Sequence, residues 1–131
     1  MKILITGGAG FVGSHLADKL IGQGHDITVI DDLSTGRYSN VAHLEGTERF
    51  RLIIDTVLNE KLMEELIRET DHVYHMASAV GVRLIMDHPV KTIETIFRGT
   101  DVVLGFCSRY RKRVLIPSTS EVYGKSATVP F

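Results

Sequence analysis

A chain of 131 residues that is 44% hydrophobic and 24% charged, with 15 basic against 16 acidic side chains, has the composition of one ordinary globular domain. Its near-neutral balance gives no field that would recruit nucleic acid or a membrane surface, so neither partner is expected. Cys107, the single cysteine, cannot close an internal disulfide; its apolar setting reads as a small buried hydrophobe in a reducing compartment, the cytoplasm by default.

The first predicted element is a strand, Ile3-Leu4-Ile5-Thr6, too short an apolar run after Met1-Lys2 for a signal peptide. It leads directly into Gly7-Gly8-Ala9-Gly10-Phe11-Val12-Gly13 and then a helix. Strand, glycine turn and helix in immediate succession is the arrangement that binds a dinucleotide pyrophosphate. Gly7 turns the chain off the strand, Gly10 removes a Cβ that would hold phosphate away, and Gly13 lets the first helical turn pack closely. Phe11 and Val12 open the helix, whose unpaired N–H groups and positive dipole end favour the phosphates. Val12, Leu16 and Leu20 form an apolar stripe, and Gly24 is a left-handed stop after Gly22-Gln23.

The second strand, Ile27-Thr28-Val29-Ile30, ends in Asp31-Asp32. Asp31 follows Gly13 at close to the ~20-residue offset of the acid that holds the adenosine ribose. A carboxylate there accepts both ribose hydroxyls and repels a 2′-phosphate, which favours NAD over NADP; the plain alternative is a carboxylate capping a turn. Leu33-Ser34-Thr35-Gly36 reads as a polar turn over the adenosine side, before Arg37, the one nearby cation. Arg51 to Asp55 is the third strand. Asp55, with Thr56 beside it, is placed to meet the adenine amino group or to serve as an ordinary loop acid. Asn59 to Glu69 is a helix with Leu62, Met63, Leu66 and Ile67 on one face and Lys61/Glu65 and Glu64/Arg68 pairs outside.

His72 to Ser78 is the fourth strand, with Met76, Ala77 and Ser78 where the chain passes a cofactor. His72 and His75 have a metal-like spacing, but i and i+3 on a strand face opposite sides, so no metal is expected. A helix starting at Asp87-His88-Pro89 runs to about Arg109 with Ile93, Phe97, Leu104 and Cys107 inward. Gly99 and Gly105 each weaken it by ~1 kcal/mol, and close packing would explain at least Gly99. The basic run Arg109-Tyr110-Arg111-Lys112-Arg113 suits a helix C-terminus. Val114-Leu115-Ile116 is the fifth strand, leading into Pro117-Ser118-Thr119-Ser120-Glu121-Val122-Tyr123-Gly124. The expected fold is α/β: a Rossmann-type doubly wound parallel sheet, incomplete, of about five strands in order 3-2-1-4-5, as one domain over 1–131.

Together the glycine turn, Asp31 to Gly36, His75-Met76-Ala77-Ser78 and Ser118 to Gly124 resemble the extended short-chain dehydrogenase/reductases that act on nucleotide sugars, the NAD-dependent epimerase/dehydratase group. The resemblance covers the whole chain. It implies bound NAD that oxidises a sugar 4-hydroxyl, a UDP-sugar substrate, and a homodimer in the full-length enzyme. In that family a Ser or Thr after the fifth strand works with a Tyr-x-x-x-Lys further on, and position matching puts the hydroxyl role on Thr119. Such a hydroxyl orients the reacting oxygen without itself ionising. Thr119-Ser120-Glu121 is similar to the decarboxylases of UDP-glucuronate, in which the Glu is implicated after oxidation, the plain alternative for Glu121 being a loop carboxylate with no chemical role; 4-epimerases and a non-catalytic NAD-binding module are the competing readings of the whole chain. Two features depart from the family. Four residues after Tyr38, Tyr74, Tyr110 and Tyr123 stand Ala42, Ser78, Val114 and Ala127, so there is no Tyr-x-x-x-Lys. Ile96 stands where relatives commonly place Asn. The sequence is therefore expected to be the N-terminal portion of a longer enzyme, silent by itself.

Overall fold

A computed structural model describes residues 1–78 and 89–124. Its five strands are β1 (Lys2–Thr6), β2 (Asp26–Asp31), β3 (Phe50–Ile54), β4 (His72–His75) and β5 (Arg113–Leu115), in one parallel sheet of order β3-β2-β1-β4-β5. This is the expected topology. The register sets Thr6 level with Ile30 and His75, and Asp31 level with Ile54, so all the strands deliver their carboxyl ends to one edge.

Strand alternation divides the core between the two faces. Ile3, Ile5, Ile27 and Val29 pack on one side against Ala17 and Leu20 of α1 (Phe11–Gly22), with Val41 between two 3₁₀ turns and Leu44 at the end of the second. Leu4, Ile30 and Val73 pack on the other side against Met63, Leu66 and Ile67 of α2 (Glu60–Glu69) and Val103 and Cys107 of α3 (Pro89–Arg109). Each such aliphatic side chain, fully buried, contributes about 1.5–3 kcal/mol. α1 stops where Gly24 takes φ +84°. α2 starts where Asn59 accepts the Leu62 N–H at 3.3 Å.

Two helix faces differ from expectation. The buried stripe of α1 is Gly13, Ala17 and Leu20 with Leu16 half-buried, while Val12 is exposed, because the first turn of the helix rises past the edge of the sheet. On α3, Cys107 is buried as expected, but Ile93, Phe97 and Leu104 are exposed at 53%, 72% and 41%. Thr92, Gly99 and Val103 lie inward instead. Gly99 decides this orientation: a Cβ there would stand 2.9 Å from Val57 Cγ2, so the helix rests on α2's approach with its glycine down. Gly105 meets nothing within 4 Å.

Glu64, on which the Arg68 charge acts as expected, also reaches the end of α3. It accepts the Tyr110 hydroxyl at 2.5 Å and Arg109 Nη1 at 3.1 Å, joining α2 to the end of α3. The Tyr110 hydrogen bond first, and Arg109 after it, hold its carboxyl below the usual glutamate range. Arg109 also lies over the Phe106 ring at 5.4 Å, so the start of the basic run serves local contacts. Asp87 and His88 lie outside the described residues. Among the described residues no helix is long and apolar enough to cross a membrane.

Candidate functional site

The strand order reverses direction between β1 and β4, and ligands of open α/β sheets gather at the carboxyl edge of such a reversal. The glycine turn stands there. Gly7 takes φ +68°, and a Cβ on it would lie 2.6 Å from the Ala77 nitrogen, so the turn and the Met76–Ser78 segment press backbone on backbone. A Cβ on Gly13 would run into the Gly7 carbonyl and stand 2.7 Å from Gly8 Cα, which packs the first turn of α1 on the glycine turn itself. At Gly10 the nearest atom to such a Cβ is the Gly7 oxygen at 3.2 Å, leaving the space before it open. Gly10 is the N-cap of α1 with no side-chain cap, and Phe11 and Val12 follow it exposed. Those amides are free to meet an anion.

Asp31 ends β2 and is only 8% exposed. Its Oδ2 accepts the Ala9 N–H at 2.8 Å and its Oδ1 the Leu33 N–H at 2.9 Å. Asp31 and the glycine turn are thus one hydrogen-bonded unit. Gly36 closes over it: a Cβ there would lie 2.9 Å from both carboxylate oxygens. Asp32 is exposed and accepts the Ser34 N–H at 2.9 Å and the Ser34 hydroxyl at 2.6 Å, which shapes the loop through exposed Thr35. Asp55 falls just past β3 and is half-buried; its Oδ1 accepts the Thr56 N–H at 2.7 Å and its Oδ2 the Asn59 amide at 2.9 Å. Both of its oxygens therefore have loop partners.

Met76 and Ala77 are half-buried and Ser78 exposed beyond the end of β4. Thr119 is exposed on the segment after β5, and its carbonyl accepts the Val122 N–H at 3.3 Å. Ser120 and Glu121 begin a 3₁₀ turn, Ser120–Tyr123; their side chains lie outside the described residues. All the candidate positions from Gly7 to Thr119 therefore fall at the carboxyl edge.

Further contacts at this edge are announced by no motif. The Ala9 carbonyl is bound from the opposite side by the Arg37 N–H at 3.0 Å and the Asn40 side-chain amide at 2.8 Å. Thr6 and His75, at the ends of neighbouring strands, are hydrogen-bonded at 2.7 Å in the buried layer. His72 lies on the other face, its ring 4.6 Å from that of Tyr74. Burial holds the His75 imidazole below its ordinary pKa, and burial followed by the Arg113 charge does the same at His72. The Thr6–His75 pairing follows from strand register alone and would be visible only once β1 and β4 are placed side by side.

Residues 4–131 match the family model described as GDP-mannose 4,6 dehydratase. The chain is 48% identical over 129 residues to UDP-glucuronic acid decarboxylase 1 of Danio rerio, covering 98% of this chain and 30% of the relative. It is 42% identical to UDP-N-acetyl-alpha-D-glucosaminuronate decarboxylase of Bacillus cytotoxicus, covering 99% of this chain and 40% of the relative. Among solved structures, the dTDP-glucose 4,6-dehydratase DesIV of Streptomyces venezuelae, which holds NAD, superposes with TM-score 0.91 at 29% identity over 98% of this chain and 42% of that one. The UDP-glucose-4-epimerase of Stenotrophomonas maltophila, also with NAD, gives TM-score 0.89 at 27% identity over 100% of this chain and 40% of that one. The chain thus spans less than half the length of these relatives.

Proposed function

Because the chain belongs to the GDP-mannose 4,6-dehydratase family, we propose that it is the NAD-binding portion of a nucleotide-sugar enzyme that oxidises the sugar C4 hydroxyl and then decarboxylates a UDP-hexuronate. The observation that carries the cofactor reading is the Asp31 carboxylate bonded to Ala9 within the glycine turn, which fixes a diol acceptor beside a phosphate cradle. Bound NAD⁺ would supply the hydride acceptor. The residues of this chain do the holding: α1 amides for pyrophosphate, Asp31 for the ribose, Met76–Ser78 along the cofactor. Thr119 would hydrogen-bond the reacting oxygen. A C4 ketone stands β to a hexuronate carboxylate, the relation that lets CO₂ leave, and Thr119-Ser120-Glu121 would face that chemistry. The decarboxylases of UDP-glucuronic acid and of UDP-N-acetyl-alpha-D-glucosaminuronate that this chain resembles, at 48% and 42% identity, support this outcome over epimerisation.

The same reading places the longer protein in the cytoplasm, which the buried free thiol of Cys107 supports. It also makes that protein a homodimer. Val90, Ile93, Phe97 and Leu104 are exposed along one side of α3, an apolar stripe that a second copy would cover. Sedimentation of the longer protein carrying Phe97→Glu should show monomer; an unaltered dimer would refute pairing through this helix.

Calorimetric titration of the chain should show NAD⁺ bound more tightly than NADP⁺, and equal or tighter NADP⁺ binding would overturn the Asp31 assignment. With NAD⁺ and UDP-glucuronate the 131 residues should give neither NADH absorbance nor product sugar, because no Tyr-x-x-x-Lys is present to supply the base. A positioned base contributes ~10²–10⁴ in rate. Turnover by this polypeptide would place the base within it.

A further inference from the structure

His75 is 4% exposed and no step assigned so far uses it. Its Nδ1 lies 2.7 Å from Thr6 Oγ1 at the end of β1, and its Nε2 3.3 Å from Thr100 Oγ1 on α3. Thr6 Oγ1 in turn accepts the Ala77 N–H at 3.1 Å, and the Thr6 carbonyl accepts the Met76 N–H at 3.0 Å. One arrangement of protons satisfies the whole set. The Thr6 hydroxyl donates to Nδ1, Nε2–H donates to Thr100, and the ring is neutral. The opposite tautomer would give Thr6 Oγ1 a second donor and leave its own hydrogen without any of these groups to meet.

We propose that His75 is a positioning residue for the dinucleotide site: held in one tautomer between Thr6 and Thr100, it fixes the Met76–Ser78 segment against the glycine turn and ties both to α3. The proposal rests on the reading of that edge as an NAD site. Thr6 immediately precedes Gly7, and the Gly7 turn meets Ala77 with no room for even a Cβ. A turn of the Thr6 side chain that carried Oγ1 away would therefore release the Ala77 amide at the point of closest approach. The β ladder cannot do this work, because β4 ends at His75 and Ala77 lies beyond it. Burial disfavours the imidazolium, which would carry a proton on both nitrogens and could not accept from Thr6.

The test uses Thr100→Val, which removes the acceptor at the remote end and keeps the volume, with Thr100→Ser as the conservative control and His75→Phe as the direct one. Imidazole ¹⁵N shifts of the unsubstituted chain should show the proton on Nε2. In Thr100→Val the Ala77 amide should exchange faster with solvent, and NAD⁺ should bind roughly three- to tenfold more weakly, the loss that one hydrogen bond represents. Thr100→Ser should restore both. Unchanged Ala77 exchange in Thr100→Val and in His75→Phe, or a proton resident on Nδ1, would overturn the proposal. Failure of the unsubstituted chain to bind NAD⁺ would instead overturn the cofactor reading, and Ala77 exchange separates the two because it is read without ligand.

Discussion

At the end of β2 a single carboxylate serves both the protein and its expected ligand. An ionised Asp has about four acceptor directions; Asp31 uses one for Ala9 and one for Leu33, and the others remain for a ribose diol. The sequence offers the ribose acid and the turn cap as competing readings of Asp31; in the fold Asp31 caps the turn, and the proposed ribose role would build on that cap. Asp31→Asn replaces one acceptor oxygen by a donor that must face a backbone N–H. Since hydrogen bonds to charged groups are worth about 1.5–3 kcal/mol, NAD⁺ should bind roughly ten- to a hundredfold more weakly, and the preference over NADP⁺ should narrow as the like charge disappears. The ligand-free variant should also melt earlier, because the Ala9 bond is internal; an unchanged melting temperature would count against that role. Asn40, which binds the far side of Ala9, was not legible beforehand, since nothing in a spacing pattern announces a contact across 31 positions.

The elements were legible in kind and less so in facing. Hydrophobic periodicity identifies α3, but apolar residues occur on both of its sides: Val90, Ile93, Phe97 and Leu104 outward, Val103 and Cys107 inward. Bulk draws a sequence reading to the outward stripe. What selects the inward one is the absence of side chain at Gly99, where Val57 enters. This contrast between two glycines of one helix gives a prediction. Gly105→Ala gains helix propensity with nothing within 4 Å to oppose it, and should stabilise by up to about 1 kcal/mol. Gly99→Ala gains the same propensity but drives a methyl to 2.9 Å from Val57 Cγ2. Val is stiff about χ1 and buried here, so the overpacking, typically about 1–3 kcal/mol, should cancel or exceed the gain. Urea midpoints should therefore rise for Gly105→Ala and not for Gly99→Ala. Equal rises would mean that Val57 yields and that Gly99 does not set the helix.

For the molecule as a whole, five strand segments separated by helical ones leave few topologies once crossovers are right-handed, so the order β3-β2-β1-β4-β5 followed from the sequence. The electrostatics of the assembled sheet did not, because they depend on which rings burial strips of water. His75 and His72 both have imidazole pKa values lowered in the fold, the first by burial, the second by burial and then by Arg113. The groups hydrogen-bonded to the His75 ring from β1 and α3 are the uncharged Thr6 and Thr100, and among the described residues burial is the cause of the lowering, with no carboxylate offsetting it. A lowered folded value means that, below the ordinary imidazole range near 6.5, the unfolded chain holds more protons than the folded one. Stability should thus be complete above about pH 6.5 and fall as pH drops from there through the folded values. Glu64 adds a separate loss at lower pH, within the carboxylate range, because its Tyr110 and Arg109 partners favour the ionised form. Urea midpoints measured from pH 8 to about 3 should decline first in the imidazole window, and His75→Asn should reduce that first decline while leaving the His72 share and the Glu64 loss in place. A midpoint constant between pH 7 and 5.5 would show that His75 takes its proton inside the fold as readily as in the unfolded chain, and that the Thr6–His75–Thr100 bonds survive its charging.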